Sequence, residues 1–362
     1  MNTQTLQLPR AKPQANAGSY RALIRRRQLL LIGLGLLLLA SFLLDLGSGP
    51  IRYELGEVLQ ALLHPDEASP QARIVMWEIR LPVALMALVV GAALSLAGAQ
   101  MQTVLNNPLA SPFTLGVSAA ASFGAALGLA FGVQLLPQAW GLLSDYLVPL
   151  NAFVMALLCS GLIYGLSRQP GARPETLVLL GIALVFTFNA LLALVQFFAS
   201  EQAVAAVVFW TMGSLNKASW PKLAITSAAL LLALPLFARQ AWALTALRLG
   251  DDKAASFGVA VQRLRLQVLL LVSLLAAFPV AFVGTIGFVG LVGPHIARML
   301  IGEDQRFFIP ASLLCGALIL SLSSVLSKLL LPGAIVPIGI VTSLIGLPFF
   351  IFLIVRSGKR PC

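Results

Sequence analysis

The sequence is poor in charge, and especially in negative charge. Only 10% of its 362 residues are Asp, Glu, Lys or Arg, and 13 acidic residues are outnumbered by 24 basic ones. Soluble domains carry about a quarter of their residues as charged, whereas 59% of this chain is hydrophobic. A soluble core cannot hide that much apolar surface, so the composition excludes an ordinary soluble domain and indicates a chain embedded in membrane lipid.

Histidine and cysteine are also scarce, which limits metal and redox chemistry. The cysteines are three, Cys159, Cys315 and Cys362, without metal-ligand or redox spacing, and the histidines are His64 and His295. His295 stands alone beside a proline at the polar end of an apolar run, where packing or capping is favoured over metal ligation. The sequence therefore predicts no catalytic residue, no metal site and no cofactor, and the chain is not expected to be an enzyme.

Two features that power transport are missing as well. The phosphate-binding loop G-x-x-x-x-G-K-[ST] is absent, which excludes ATP hydrolysis by this chain through a P-loop. Ionisable residues are nearly absent from the middle of the apolar runs, where ion-coupled carriers usually place them. Energy for uphill transport is therefore expected from a partner. An ion-coupled secondary transporter, an intramembrane enzyme and a structural scaffold are the less favoured alternatives.

Ten apolar runs make up most of the chain. With about 20 residues needed per crossing, they predict membrane helices over residues 29–46, 81–104, 113–135, 147–167, 175–199, 222–238, 264–282, 285–300, 308–329 and 337–355. An even number of crossings puts both chain ends on one side. If that side is the cytoplasm, 18 of the 24 Lys and Arg residues fall inside and six fall outside. This bias favours an all-α, multi-pass protein of the inner (cytoplasmic) membrane with cytoplasmic termini.

The remaining parts of the chain divide around these crossings. The predicted divisions are a disordered cytoplasmic tail over residues 1–28, a membrane domain over 29–355 and a second tail over 356–362. Residues 201–215 are too few and too polar at their ends to span. We predict an interfacial or re-entrant piece there, with Trp210 and Trp220 as anchors at the membrane interface.

Glycines recur at every third position at the start of GTIGFVGLVGPHIARMLIG, residues 284–302. On a helix, this spacing leaves a stripe with almost no side chain, and a neighbouring backbone can then approach closely. The glycines expected to line such seams are Gly91, Gly98, Gly287, Gly290 and Gly293.

The longest polar insertion, LRLGDDKAASFGVAVQRLRLQ, covers residues 247–267 on the cytoplasmic side. It predicts two short helical pieces with hinges at Gly250 and Gly258. Asp251 and Asp252 stand at the start of the first piece, where carboxylates favour the free N–H groups of a helix. A helix-forming insertion in a loop-poor protein suits the docking of a partner, and an ordinary solvated loop is the alternative of equal weight.

Several motifs, in order, resemble the FecCD-type permeases of iron–siderophore and cobalamin ABC importers. The most specific are NNPLASP (106–112), GFVGLVGPHIAR (287–298) and PIG…IGLPFF (337–350), and the resemblance covers roughly residues 77–355. It implies the type II ABC importer permease fold with about ten membrane helices. It also implies transport of a ferric siderophore, with cobalamin or haem as alternatives within the family.

The resemblance further implies partners. They are a second permease subunit, identical or different, two cytoplasmic ATPase subunits, an extracytoplasmic substrate-binding protein and membrane lipid, with no nucleic acid. The ATPase subunits are expected on a coupling loop at about residues 247–262, through Gly250, Asp251, Asp252, Ala255 and Gly258. The cytoplasmic gate is implied at Asn107, Pro108 and Leu109.

Docking of the binding protein is implied at two outward-facing cations, Arg80 and Lys328. The sequence departs from the family pattern here. Val83 replaces the last Arg of the R-x-P-R motif, and Ser324 and Lys328 replace the Asp and the Arg of the D-x-x-x-R motif. Ile335 replaces the usual Glu before L-P-x-G. Lysine keeps the charge but loses the bidentate fork to a carboxylate. We expect weaker docking or a sister subunit that supplies the missing arginines; simple snorkelling of both cations is the alternative.

The pathway itself is expected to hold its cargo loosely. Without charges inside the membrane, it offers shape, dispersion contacts and a few hydroxyl or amide groups. The polar residues expected along it are Thr187, Asn189, Gln196, Thr342 and Ser343.

Overall fold

A computed structural model describes residues 17–49, 53–133, 135, 146–169, 174–331 and 333–357, and these residues are almost entirely helical. The α-helices in chain order are α1 (Ala17–Gly47), α2 (Leu55–Leu63), α3 (Pro70–Ile74), α4 (Leu81–Val104), α5 (Val117–Phe131), α6 (Leu147–Ser167), α7 (Pro174–Phe198), α8 (Glu201–Thr211), α9 (Trp220–Arg239), α10 (Ala241–Leu247), α11 (Asp251–Ser256), α12 (Val261–Val283), α13 (Val289–Ile301), α14 (Gln305–Leu329) and α15 (Ile338–Ser357). A π-helical turn, Val75–Arg80, joins α3 to α4, and a 3-10 turn, Leu215–Lys217, follows α8.

All ten predicted crossings coincide with apolar helices. Seven helical segments are long and apolar enough to span a membrane: Tyr20–Gly47, Pro70–Val104, Leu147–Ser167, Pro174–Phe198, Trp220–Arg239, Val261–Val283 and Gln305–Leu329. The other three, Val117–Phe131, Val289–Ile301 and Ile338–Ile351, are shorter apolar helices. The all-α, multi-pass architecture predicted from the sequence is therefore confirmed in the described part of the chain.

Several boundaries differ from the prediction. Helix α1 already begins at Ala17, within the segment predicted as a tail, and residues 1–16 lie outside the described residues. At the other end α15 reaches Ser357, and residues 358–362 lie outside the description. Helix α8 forms the short piece expected between the fifth and sixth crossings.

Trp210, at the end of α8, was predicted as an interface anchor, and that prediction is wrong. Its side chain is only 3% exposed and belongs to a buried cluster with residues of α4 and α12. Trp220 is 38% exposed, and its indole Nε1 donates to the carbonyl of Trp77 at 3.1 Å. The two tryptophans therefore occupy different environments, because α8 folds back onto the bundle.

Helix α4 occupies the centre of the bundle. Almost all of its residues are buried, and it contacts α9, α12, α13 and α14. A helix that is apolar on every face is expected in such a position, since no side of it needs to meet water. The other membrane helices are arranged around this one.

Glycines bring the backbones around α4 into close contact. An added Cβ at Gly98 would overlap the carbonyl of Gly290 on α13, and one at Gly91 would overlap the carbonyl of Gly316 on α14. Gly293 similarly faces the side chain of Ser95. These positions confirm the predicted seams, because only glycine permits such approach.

The glycine-rich segment is not one continuous helix. Helix α12 ends before Gly284, which has a φ of 78°, and α13 begins only at Val289, after Phe288 with a φ of 65°. The predicted stripe is therefore split, and Gly287 lies in the irregular segment rather than in a helix seam. Non-helical backbone within a membrane is tolerated where protein buries it or a cavity adjoins it.

The seam leads to a stability prediction. Gly98→Ala should destabilise the folded chain by about 1–3 kcal/mol, because the new methyl group meets backbone that cannot move aside. Thermal unfolding of the purified protein in detergent measures this loss. Gly33→Ala on α1 is the matched control, since nothing lies within 4 Å of its added Cβ. Equal stability of the two variants would contradict the seam.

Candidate functional site

A buried ion pair joins α1 to α14 at the outer end of the bundle. Lys328 Nζ donates to Asp45 Oδ1 at 2.8 Å and to the Asp45 carbonyl at 3.0 Å. Ser324 Oγ donates to the same carboxylate at 2.9 Å. The side chains of Lys328 and Asp45 are 7% and 0% exposed. In the family pattern, the acid beside this cation is residue 324 of the same helix. Here residue 324 is a serine, and Asp45 of α1 supplies the carboxylate instead.

Arg80 also faces inward. Its guanidinium donates to the Leu46 carbonyl at 2.6 Å, and its Cζ lies 4.7 Å from the ring centroid of Tyr53. Only 6% of the residue is exposed. Arg80 and Lys328 are therefore held against the outer end of α1, and the structure differs from the exposed side chains expected for docking.

An outer cavity of about 280 Å³ adjoins this ion pair. It is lined by Val83, residues 213–217, the outer end of α14 and residues 335–338. Lys217 enters it from the 3-10 turn, and no carboxylate in the described residues lies within 4.0 Å of its ammonium group. Burial, and then the nearby Lys222 ammonium, lower the pKa of Lys217. The cavity thus contains a cation without a counterion, beside the valine that replaces an arginine of the family pattern.

The floor of the outer cavity is made of irregular backbone. The segments after α8, after α12 and before α15 meet there and are joined by main-chain hydrogen bonds. Ser214 N donates to the Val283 carbonyl at 2.7 Å, and Gly339 N donates to the Met212 carbonyl at 3.0 Å. These bonds pair backbone N–H and C=O groups that would find no hydrogen-bond partner in lipid.

A central groove of about 470 Å³ continues from this junction along α15. Its lining includes Phe113, Thr285, Gly287, Ser343 and Leu347. The outer cavity uses residues 335–338 and the central groove residues 339–348, so the two spaces follow one another along the same helix.

The polar residues predicted along the pathway are not all brought together. Ser343 lines the central groove, whereas Thr342 is buried and donates to the Gly339 carbonyl of its own helix at 3.2 Å. Thr187 and Asn189 are exposed on α7. The described contacts of this group thus assign only Ser343 to the groove.

The predicted gate residues lie together in one turn after the inner end of α4. Asn107 Oδ1 accepts a hydrogen bond from Leu109 N at 2.9 Å. Asn106 adopts a φ of 44°, and Pro108 and Leu109 are exposed. His295, by contrast, packs its ring edge-to-face against Phe349 at 6.1 Å.

The predicted coupling loop has the expected hinges. Gly250 and Gly258 have φ values of 104° and 82°, which side chains other than glycine rarely adopt, and α11 lies between them. Asp251 and Asp252 stand in its first turn. The second helical piece is the start of α12 itself, not a separate helix.

The loop presents a partly apolar surface to the cytoplasmic side. Leu249 is 57% exposed and Phe257 is 56% exposed. The α11 surface consists of these two residues with Asp252, Ala255 and Gly258, all exposed. Large exposed apolar side chains beside charged ones are typical of a protein–protein contact.

A buried arginine joins α11 to the inner end of α4. Arg265 has only 5% of its side chain exposed, and its Nη2 donates to both carboxylate oxygens of Asp251, at 3.1 and 2.9 Å. Its Nε donates to the Val104 carbonyl at 3.1 Å. One rigid guanidinium therefore contacts both the predicted docking loop and the backbone just before the gate turn.

A second connection runs through Glu303. Arg248, at the end of α10, donates to this carboxylate through Nε at 3.1 Å and to Asn106 Oδ1 at 3.2 Å. Arg298 Nε also lies 3.1 Å from Glu303, and Arg298 Nη2 donates to Gln102 Oε1 at 2.9 Å. We call Arg248, Asp251, Arg265, Arg298 and Glu303 the inner link.

Sequence reasoning missed the inner link. Its arginines were counted only as inside charges that set the orientation of the chain. A signal was nevertheless present, because few acidic residues lie on the cytoplasmic side and two of them, Asp251 and Glu303, follow directly on helix-ending glycines. Acids that are few among many inside arginines, here Asp251 beside Asp252 and Glu303 beside Asp304, are candidates for ion pairs.

Comparisons with known proteins agree with this architecture. The profile of the FecCD transport family matches residues 37–356. The chain is 38% identical to the hemin transport system permease protein HmuU of Yersinia pestis, over 79% of this chain and 85% of that protein. It is 35% identical to the vitamin B12 import system permease protein BtuC of Vibrio vulnificus, over 77% and 82% of the two chains.

A solved structure, described as an inward-facing conformation of a metal-chelate type ABC transporter, has the same fold. It superposes with a TM-score of 0.78 at 33% identity and covers 90% of this chain and 99% of its own. The matched regions include the elements that form the outer cavity, the central groove and the inner link.

The buried ion pair gives a second stability prediction. Lys328→Met should cost about 3–5 kcal/mol, because it leaves the Asp45 carboxylate buried without a counterion. The double variant Asp45→Asn/Lys328→Met should recover much of this loss in thermal unfolding. Arg73→Met, which breaks the exposed pair with Asp66, is the control and should cost at most about 1 kcal/mol. A similar cost for both single variants would argue against a buried pair.

Proposed function

We propose a ferric siderophore as the cargo of this chain, which belongs to the FecCD transport family and is a permease subunit of an ABC importer. The observation that carries the proposal is the succession of outer cavity and central groove along α15. A path formed by these two spaces is lined mainly by small, apolar and hydroxyl groups, with Asn216, Lys217 and Lys328 at its outer end, and it suits a bulky chelate held loosely. Haem and cobalamin, named for HmuU and BtuC, are the alternative cargoes.

Enclosure of the pathway requires a second permease subunit. The central groove is open along one side, and its rim includes Leu344, which is 66% exposed. Helix α7 likewise exposes Phe186 and Phe197, at 71% and 80%. A second subunit, identical or different, would cover such faces and complete the walls of the path in the inner membrane.

Energy enters from the cytoplasmic side in this proposal. Two ATPase subunits dock on the α11 surface, and ATP hydrolysis takes place in them. A displacement of α11 moves Asp251 and, through Arg265, the backbone at Val104. Because Val104 directly precedes the turn that carries Asn107, Pro108 and Leu109, docking and gating are mechanically joined.

Reconstitution in proteoliposomes tests the cargo. The full-length permease, with its ATPase subunits and binding protein, should take up a ferric siderophore only when ATP is supplied. Haem and cobalamin should be taken up much more slowly. Faster uptake of haem or cobalamin would identify that compound as the cargo and contradict the siderophore proposal. Uptake by the permease alone under a proton or sodium gradient would contradict the ATP-driven importer mechanism.

Two substitutions should separate docking from coupling. Phe257→Ser should abolish co-purification of the ATPase subunits, because it removes an exposed apolar contact of the α11 surface. Glu303→Gln should keep the subunits bound but lower the cargo transported per ATP by roughly tenfold, in the range of typical coupling free energies.

Controls for these variants lie on the opposite side of the membrane. Leu63→Ser removes an equally exposed apolar side chain, 70% exposed, from α2 on the outer side. Glu201→Gln removes an exposed acid at the start of α8. Both should leave assembly and transport per ATP unchanged; full coupling in Glu303→Gln would speak against the inner link.

Docking of the binding protein takes place at the outer cavity in this proposal. Lys328 lines the cavity but is paired with Asp45, and Arg80 lines a neighbouring pocket with Lys328. Both contribute positive potential, while Lys217 is the cation that meets an acidic residue of the partner. Lys217→Glu should therefore weaken binding of the loaded binding protein roughly tenfold in nanodiscs, and more strongly at low salt. Arg73→Glu reverses a charge on the same side but outside the cavity. An equal effect of the two reversals would disprove the role of Lys217.

A further inference from the structure

A groove on the surface of the bundle takes no part in the pathway described above. It lies between α6 and α12, has a volume of about 250 Å³ and shares no residue with the outer cavity or the central groove. We call it the side groove. Ser160, Gly161 and Tyr164 of α6 and Leu270 and Ser273 of α12 line it.

The side groove extends from the middle of α6 and α12 towards the cytoplasmic end of α6. Helix α6 ends on the cytoplasmic side at Ser167, and α12 begins there at Val261. With a rise of about 1.5 Å per residue, Tyr164 lies only one turn from the inner end of α6. The Tyr164 end of the groove therefore lies near the head-group region of the inner leaflet.

One polar group in the side groove has no partner. Ser160 is only 7% exposed, and its Oγ makes no hydrogen bond to any described residue. Ser273 Oγ, in contrast, donates to the Leu269 carbonyl at 2.7 Å. A buried hydroxyl without a hydrogen bond is costly in an apolar medium, so Ser160 points to a bound group that accepts one.

The inner ends of α6 and α12 form a rim on the cytoplasmic side of the side groove, and it carries two arginines, four residues beyond Tyr164 and seven residues before Leu270. Gln262 Nε2 donates to the Ser167 carbonyl at 2.5 Å, which brings the inner ends of α6 and α12 together. The next residues on each chain segment, Arg168 and Arg263, are both exposed. No carboxylate within the described ranges lies within 4.0 Å of either guanidinium. The rim therefore offers two adjacent cations to an anionic head group.

We propose that the side groove binds an anionic phospholipid of the cytoplasmic leaflet. The phosphate contacts Arg168 and Arg263, the glycerol ester region accepts the hydrogen bond of Ser160, and one acyl chain fills the groove. Gly161 and Gly165, which have nothing within 4 Å of an added Cβ, also form a G-x-x-x-G face that fits another helix. The charge at the rim and the unpartnered hydroxyl favour the lipid, since an apolar helix satisfies neither.

Native mass spectrometry of the full-length chain in detergent tests this site. With dioleoyl-phosphatidylglycerol, each chain should retain one lipid about tenfold more tightly than with dioleoyl-phosphatidylcholine. The double variant Arg168→Gln/Arg263→Gln should reduce this preference to the level of phosphatidylcholine. Gly161→Leu should abolish retention of both lipids, because the new side chain occupies the groove.

Gly35→Leu is the matched control, since it adds the same bulk to open space on α1, a helix that does not line the side groove. It should retain phosphatidylglycerol as the unchanged chain does. Equal affinity for the two lipids, or retention in Gly161→Leu, would overturn the proposal. So would photo-crosslinking from position 161 to a membrane protein instead of lipid. The arginine variant changes only exposed residues, so it keeps the test decisive if Gly161→Leu does not fold.

Discussion

Lipid provides no partner for a charge or an unpaired backbone amide, and the architecture of this chain follows from that constraint. Irregular backbone occurs inside the bundle only where other segments bond to it, as Ser214 does with Val283. A cation buried at the outer end of a helix is likewise paired across helices, as Lys328 is with Asp45. The same requirement explains why α4, with no such groups on its surface, can occupy the centre and be approached by glycine backbones.

This arrangement gives the two ends of the path different mechanical properties. The outer end is joined by a buried ion pair and by main-chain bonds, so α1, α14 and the segment before α15 form one body there. At the inner end the contacts are side-chain bonds between largely buried arginines and half-exposed carboxylates, with glycines of positive φ on both sides of α11. Such contacts can break and reform at modest cost, which is what a region that transmits motion needs.

The sequence was sufficient for the helices, their order and the hinges of the inner loop, because hydrophobic run length and glycine position are local properties. It was not sufficient where the outcome depends on contacts between distant segments. Trp210 is buried because α8 folds back onto the bundle, where it packs mainly against α5, and the indole joins a cluster with residues of α4 and α12. The helix expected from residue 285 starts only at Val289, after Phe288 with its positive φ. The inner link includes a pair 55 positions apart, Arg248 and Glu303, and the few cytoplasmic acids in the sequence do not indicate which arginine each of them meets.

The origin of the carboxylate beside Lys328 limits how parts of related permeases can be exchanged. In the family pattern the acid and the cation lie on one helix, four residues apart, whereas here Asp45 on α1 has taken the place of the acid at Ser324. A chimera that received its ninth crossing from such a relative would place two carboxylates around a single cation. Helices α1 and α14 of this chain therefore have to be inherited together, and recombination that separates them is expected to be selected against.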